Sequence, residues 1–312
     1  MTASMQSRFK LFGLTLATML AFAGNSLLCR QALAHTGMDA ASFTSVRLLS
    51  GTLALLLICR ATSRPYRGQG NWISAAALFG YAAGFSFAYL ALPAGVGALL
   101  LFGAVQTSMI GYGCWRGERL AAVQWLGLLL ALTGLLGLLL PGAAAAPLPA
   151  SLLMLFAGAS WGLYSLRGRS AAHPATGAAN GSGKAISLTA GNFLRTLPFT
   201  LVLSASVLLA SAFDMGRLSM PPAGLAYAVA SGALASGVGY AIWYSVLPYL
   251  KATQAATVQL SVPVLAAFGG VLLLDERVSL RLLLASAAIL GGVALVLLEA
   301  KPKAEPKAGP GS

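Results

Sequence analysis

Five apolar segments are followed by five more, and the two sets carry the same landmarks in the same order. Leu92-Pro93 closes one segment, a small-residue stretch follows, and Gly117-Glu118-Arg119-Leu120 leads into a glycine-spaced segment through Gly127 and Gly134. Leu247-Pro248 opens the same series, which continues through Asp275-Glu276-Arg277-Val278 to Gly291-Gly292. Gly84 pairs with Gly239 and Tyr89 with Tyr244 without gaps; Gly24 pairs with Gly162, and Ala34-His35 with Ala172-His173. Segments two and seven match poorly, so the repeat rests on four pairs. An odd number of spans forces a second copy to enter the bilayer upside down relative to the first. Inverted repeats of this kind place a substrate site at the interface between the halves. The expected fold is an all-α integral membrane protein of ten transmembrane helices arranged as two inverted five-helix repeats. The first repeat is assigned to residues 1–145, the second to 146–300, and a disordered cytoplasmic tail rich in Pro, Lys and Gly to 301–312.

The composition agrees with a bilayer as solvent. Of 312 residues, 58% are hydrophobic and only 9% charged, and the mean hydropathy is +0.80, too apolar for a chain that must present a charged surface to water. A spanning helix needs about 20 mostly apolar residues. Ten segments qualify: 9–33, 41–60, 71–92, 94–116, 120–140, 149–170, 185–212, 221–246, 250–274 and 278–299.

A net charge of +13 in a soluble protein would suggest nucleic acid. Here the basic residues gather at segment ends, which excludes that partner and sets orientation. With the N-terminus inside, fourteen of the 20 Lys and Arg fall on the cytoplasmic side, among them Arg60, Arg64, Arg67, Arg116, Arg167 and Lys184. Arg30, Arg47, Arg195, Arg217, Arg277 and Arg281 lie on or toward the other side. The positive-inside bias therefore predicts that both termini are cytoplasmic.

Several alternatives fail on spacing. Ala21-Phe22-Ala23 resembles a signal-peptide cleavage site, but the apolar run continues to Cys29 and Gly24 has its counterpart in the second half, so the segment is kept as a helix. Cys29, Cys59 and Cys114 form no CxxC pair and there are two His, so no metal site or cofactor is expected and the thiols read as buried and reduced. Residues 170–184 superficially resemble a phosphate-binding loop. Ala178 stands where the first Gly is needed and Ala185 replaces the hydroxyl, which leaves a flexible linker as the reading.

The candidate site residues are the polar and aromatic side chains inside the spans. Asn25, Gln106, Gln259 and Ser261 are expensive facing hydrocarbon without a partner; they serve either as interhelical hydrogen bonds or as pocket lining. Tyr81 and Phe85, Tyr240 and Trp243, and Trp161 and Tyr164 repeat at helical spacing, which suits a cavity for a ligand with a flat apolar body. An interfacial aromatic belt is the alternative, most persuasive for Tyr89 and Tyr244 near helix ends. Pro263 inside the ninth segment removes one backbone hydrogen bond and predicts a kink. Arg47 and Arg195 sit inside predicted spans, with snorkelling as the default reading and a substrate carboxylate as the other. Glu118-Arg119 and Asp275-Glu276-Arg277 read as loop caps and ion pairs between helix ends.

Ten helices in two halves, Ala159-Ser160-Trp161-Gly162 in the sixth, and Gly-Glu-Arg-Leu or Asp-Glu-Arg-Val before the last helix of each half resemble the drug/metabolite transporter superfamily, EamA branch. Within it the chain is most similar to bacterial exporters of aromatic and other neutral amino acids, the YddG type. It departs from that pattern at Gly24-Asn25, where the Trp often preceding this Gly is missing. The resemblance implies a bacterial inner-membrane secondary transporter, not an enzyme, exporting small neutral or amphiphilic metabolites by alternating access. A general drug exporter is the alternative within transport. Its partners are then a small-molecule substrate and the lipid bilayer, with a monomer plausible. No nucleophile with its base and no HExxH motif supports the rival reading as an intramembrane enzyme.

Overall fold

The computed structural model describes residues 2–117, 120–140, 146–172, 178–213, 218–250 and 258–298. These form ten apolar helices: α1 (Thr2–His35), α2 (Ala40–Ala61), α3 (Trp72–Ala88), α4 (Ala94–Trp115), α5 (Ala122–Leu139), α6 (Leu148–Ala172), α7 (Ala178–Ala212), α8 (Pro222–Val246), α9 (Ser261–Leu274) and α10 (Leu280–Leu298). Among the described residues there is no strand. Short polar side chains start two of the helices: Asp39 accepts from Ser42 N–H at 2.8 Å, and Asn71 accepts from Ser74 N–H at 2.9 Å. Pro222 opens α8, where its missing N–H removes no helical bond.

Hydrogen bonds between connections fix which helix ends share a face of the bundle. At one end, Asp39 N–H donates to Ser219 C=O at 3.1 Å, which joins the α1–α2 turn to the α7–α8 connection. Glu276, after α9, reaches the start of α4 and the end of α1 at that same end. At the opposite end, Asn71 N–H donates to Asn192, and Gln124 at the start of α5 donates to Val296 C=O at the end of α10. Helices α1 and α6 therefore run in opposite directions, as do α4 and α9, and α5 and α10. The inversion expected from five spans per half is the arrangement observed.

Small residues let these helices approach closely, because lipid offers no hydrophobic drive for pairing. Gly127 and Gly292 face each other with each backbone carbonyl against the other's Cα, and α5 with α10 is the most extensive helix pair. Gly232 of α8 lies directly on the Arg47 backbone and Ser50 of α2. Leucines such as Leu201, Leu208 and Leu209 of α7 are left exposed, as expected for lipid-facing surface.

Four sequence expectations change. Residues 178–184 are the first turns of α7, not linker; His173-Pro174 and Glu118-Arg119 lie outside the described residues. Helix α9 begins at Ser261 after a turn at Leu260, whereas an unbroken span over 250–274 was expected. Residues 258–259 are themselves helical, so the interruption at Leu260 falls three residues before Pro263, where a proline ring crowds the carbonyl four residues back and supplies no N–H to it. Pro198 also stands inside a helix, α7. Arg195 donates to the carbonyls of Gln69 and Gly191, which places it with the α2–α3 loop and not toward the opposite end of the bundle. Tyr89 is fully buried, its hydroxyl donating to Ala94 C=O at 3.1 Å, so it is not part of an interfacial belt.

The α2–α3 loop and the α7–α8 connection occupy corresponding positions in the two halves. Single cysteines at the exposed Arg67 and Leu218, in a background lacking Cys29, Cys59 and Cys114, are expected to react with an impermeant maleimide from opposite sides: Arg67→Cys from the cytoplasm, Leu218→Cys from outside. Labelling of both from one side would remove the inversion.

Candidate functional site: an aromatic cavity behind a buried arginine

Five helices enclose a cavity in the middle of the bundle. Phe22, Asn25 and Ser26 come from α1, Tyr81 and Phe85 from α3, Leu101 and Phe102 from α4, Trp161 from α6, and Ala235, Ser236 and Tyr240 from α8. Only about 20 Å³ is open between these side chains, room for a single water, so that a ligand of amino-acid size enters only as the helices part. The rings form a continuous cluster. Trp161 lies 4.8 Å from Tyr81, 5.2 Å from Tyr240 and 5.4 Å from Tyr164, centroid to centroid. Phe22 meets Tyr240 edge-on at 5.8 Å. Tilted and edge-on pairs are the favoured arrangements of aromatic quadrupoles, and they leave faces available to a flat guest.

A polar chain crosses this aromatic wall. Ser231 donates to Asn25 Oδ1 at 2.6 Å, and Asn25 Nδ2 donates to the Tyr81 hydroxyl at 3.2 Å. The same hydroxyl accepts from Arg47 Nη2 at 2.9 Å, and Arg47 Nε reaches Ser236 Oγ at 3.5 Å. The Arg47 guanidinium lies 5.1 Å from the Tyr81 ring centroid and 4.8 Å from that of Phe85, a cation–π contact with both rings. Arg47 is only 2% exposed. It does not snorkel; α8 packs directly on its backbone through Gly232, and its guanidinium is held against Tyr81, Phe85 and Ser236.

The local backbone explains how α8 delivers its share. Ala230–Val238 winds as a π-helix, nine residues of wider turn inside an otherwise α-helical span. Small residues, Ser231, Gly232, Ala235, Ser236 and Gly237, occupy the wide turn and are buried. Such departures are rare and are found frequently at functional sites. Here the wider turn presents Ser231 to Asn25, Ser236 to Arg47 and Tyr240 to Trp161.

The residues singled out from sequence divide by position. Asn25, Tyr81, Phe85, Trp161 and Tyr240 line the cavity. Tyr164 stacks behind Trp161 with its hydroxyl 3.4 Å from Thr189, and Trp243 packs on Phe22 at 6.0 Å, both one layer back. Gln106 is buried in α4 away from the lining; Gln259 precedes α9, and Ser261 spends its hydroxyl on Val258 C=O at 2.7 Å. Sequence reasoning missed Phe22, Ser26, Phe102 and Ser236. For Phe22 the signal was present, since it lies three residues before Asn25 on one helical face.

One end of the bundle above the cavity is tied by a carboxylate. Glu276 accepts from Ala94 N–H at 3.0 and 2.8 Å and pairs with Arg30 at 3.4 Å, and Arg30 donates further to Tyr89 and Leu90 carbonyls. The α9–α10 turn is thereby joined to the N-terminus of α4 and the end of α1, where a carboxylate complements the helix dipole. Burial pushes the Glu276 carboxyl above its ordinary value; the Ala94 N–H and Arg30 oppose that shift. Asp275 takes the left-handed conformation, φ 52°, that turns the chain back toward this contact.

Comparison with known proteins bears directly on this arrangement. Residues 148–298 match the EamA-like transporter family. The second half of the chain is an EamA-like transporter domain. An uncharacterized protein of Pseudomonas aeruginosa, PA1977, is 56% identical over 285 residues, covering 91% of this chain and 93% of its own, so the two are members of one family. A solved crystal structure with 20% identity and a TM-score of 0.61 covers 93% of this chain and 98% of that one, and shares the fold. The EamA-like assignment makes this a multi-pass membrane transporter for a small molecule, with Trp161, Tyr240, Ala235 and Ser236 of the cavity inside the matched domain.

Proposed function

We propose that this chain is a bacterial inner-membrane exporter of small amphiphilic metabolites, aromatic and other neutral amino acids first among them, working by alternating access between its two halves. The observation that carries the reading is the cavity itself: a ring cluster crossed by one polar chain and lined from both halves, which the Glu276 contact ties together at one end of the bundle. Stacking and burial suit a flat apolar body, while Asn25, Ser236 and the Tyr81 hydroxyl supply directional contacts. A broader drug or metabolite exporter is the alternative reading of the same cavity. The direction of transport follows the resemblance to exporters.

Among the described residues the acids are Asp39, Asp275 and Glu276, all at helix ends. Proton-driven carriers hold a titratable acid within the membrane, where burial lifts its pKa into the working range. Transport here is expected to follow the substrate gradient. In proteoliposomes free of sodium, an inward phenylalanine gradient alone should support saturable uptake, and an imposed pH gradient should neither accelerate uptake nor concentrate phenylalanine. Accumulation above equilibrium driven by the pH gradient, abolished by an uncoupler, would overturn this.

A further inference from the structure

The guanidinium of Arg47 is a fixed cation in the bundle interior, and its Nη1 is buried without a hydrogen-bond partner within the described residues. No described acid answers it. Asp39 is spent on the N–H groups of Ser42 and Ser219 at the α2 start, Glu276 on Ala94 and Arg30, and Asp275 is exposed. Its remaining contacts are neutral: the Tyr81 hydroxyl, Ser236 Oγ, and the ring faces of Tyr81 and Phe85. A buried charge without a counter-charge is unfavourable, and a planar guanidinium presents a fork that matches a carboxylate. Tyr81, Phe85 and Ser236, which hold Arg47, are themselves cavity lining, so the cation stands directly behind the wall that a guest would touch.

Resting on the transporter reading above, we infer that Arg47 is the anion subsite: as the helices part it takes the carboxylate of the substrate while Trp161 and Tyr240 take the aromatic body. The described lining offers no counter-charge for an ammonium group. The substrate class is accordingly aromatic monocarboxylates, for which the amino group is dispensable and the carboxylate is not.

Purified protein in proteoliposomes, preloaded with unlabelled phenylalanine, is given labelled phenylalanine with 3-phenylpropanoate or phenethylamine as competitor. The expected result is that 3-phenylpropanoate competes within about threefold of phenylalanine and phenethylamine at least about tenfold more weakly. Arg47→Gln should lose at least about tenfold in apparent affinity for both carboxylates and leave phenethylamine unaffected, with Arg47→Lys between it and the parent. Thermal shift supplies a readout independent of transport: 3-phenylpropanoate should raise the melting temperature of the parent and not of Arg47→Gln, whose unliganded melting temperature should not fall. Phenethylamine competing as well as 3-phenylpropanoate on the parent overturns the inference even if Arg47→Gln does not fold. So does a variant that keeps the parent's carboxylate preference. If labelled phenylalanine does not exchange above protein-free liposomes, the amino-acid reading fails. The Arg47 subsite then stands or falls on the 3-phenylpropanoate thermal shift alone.

Discussion

Trp161→Ala and Tyr81→Ala should each lower phenylalanine transport at matched protein levels about tenfold or more, the equivalent of ~1.4 kcal/mol of lost interaction. Trp161 is the hub of the ring cluster, contacting Tyr81, Tyr164 and Tyr240. Its removal takes away both apolar area and the aromatic contacts, which add about 0.5–1.5 kcal/mol beyond burial. Tyr81 does a second job, because its hydroxyl receives both Asn25 and Arg47. Its truncation therefore leaves two buried donors short of a partner. Tyr89→Phe is the control: it removes one hydroxyl bonded to Ala94 C=O and leaves the cavity walls in place. Normal transport by both alanine variants would mean that this ring cluster is packing and that the substrate passes elsewhere.

Gly127→Ala and Gly292→Ala should each destabilise the protein by about 1–3 kcal/mol, the usual range for overpacking a tight contact. A Cβ at either position meets the backbone of the facing helix, which cannot rotate away as a side-chain tip can. Gly137→Ala on the same α5 meets nothing within 4 Å and should be neutral or slightly stabilising, because alanine loses less backbone freedom in a helix. Thermal unfolding in detergent reads all three variants. Equal melting temperatures for Gly127→Ala and Gly137→Ala would show that α5 and α10 are not held at the separation described.

Gly127 and Gly292 also show what was legible in the sequence. Their spacing after Gly117-Glu118-Arg119 and Asp275-Glu276-Arg277 marks the repeat, and a small residue in lipid has one dominant use, close helix approach. The convergence of Tyr81, Phe85, Trp161 and Tyr240 was legible for a related reason: helical spacing puts each pair on one face, and the inversion turns those faces inward. Arg47 was misread because depth in a span is all that a single sequence offers, and an isolated arginine at that depth snorkels. Its burial depends on Gly232 pressing on its backbone and on the π-helical turn of α8, and no local pattern encodes either. The interruption at Leu260 was missed because the polar residues on either side of it, Gln259 and Ser261, were read as pocket lining within one span. Glu276 was recognised as a cap, but not that the helix it caps belongs to the other half, since the partner, Ala94, is distant in sequence.

The central claim is that one cavity opens in turn to each side of the membrane. Ala235 lines that cavity, is buried, and tolerates a side chain little larger than its own. In a background lacking the three native cysteines, Ala235→Cys is measured for its rate of reaction with an impermeant maleimide applied separately to the two faces of oriented vesicles. The account predicts reaction from both sides, each slowed by saturating phenylalanine; reaction from one side only, or rates that phenylalanine leaves unchanged on both, would contradict it.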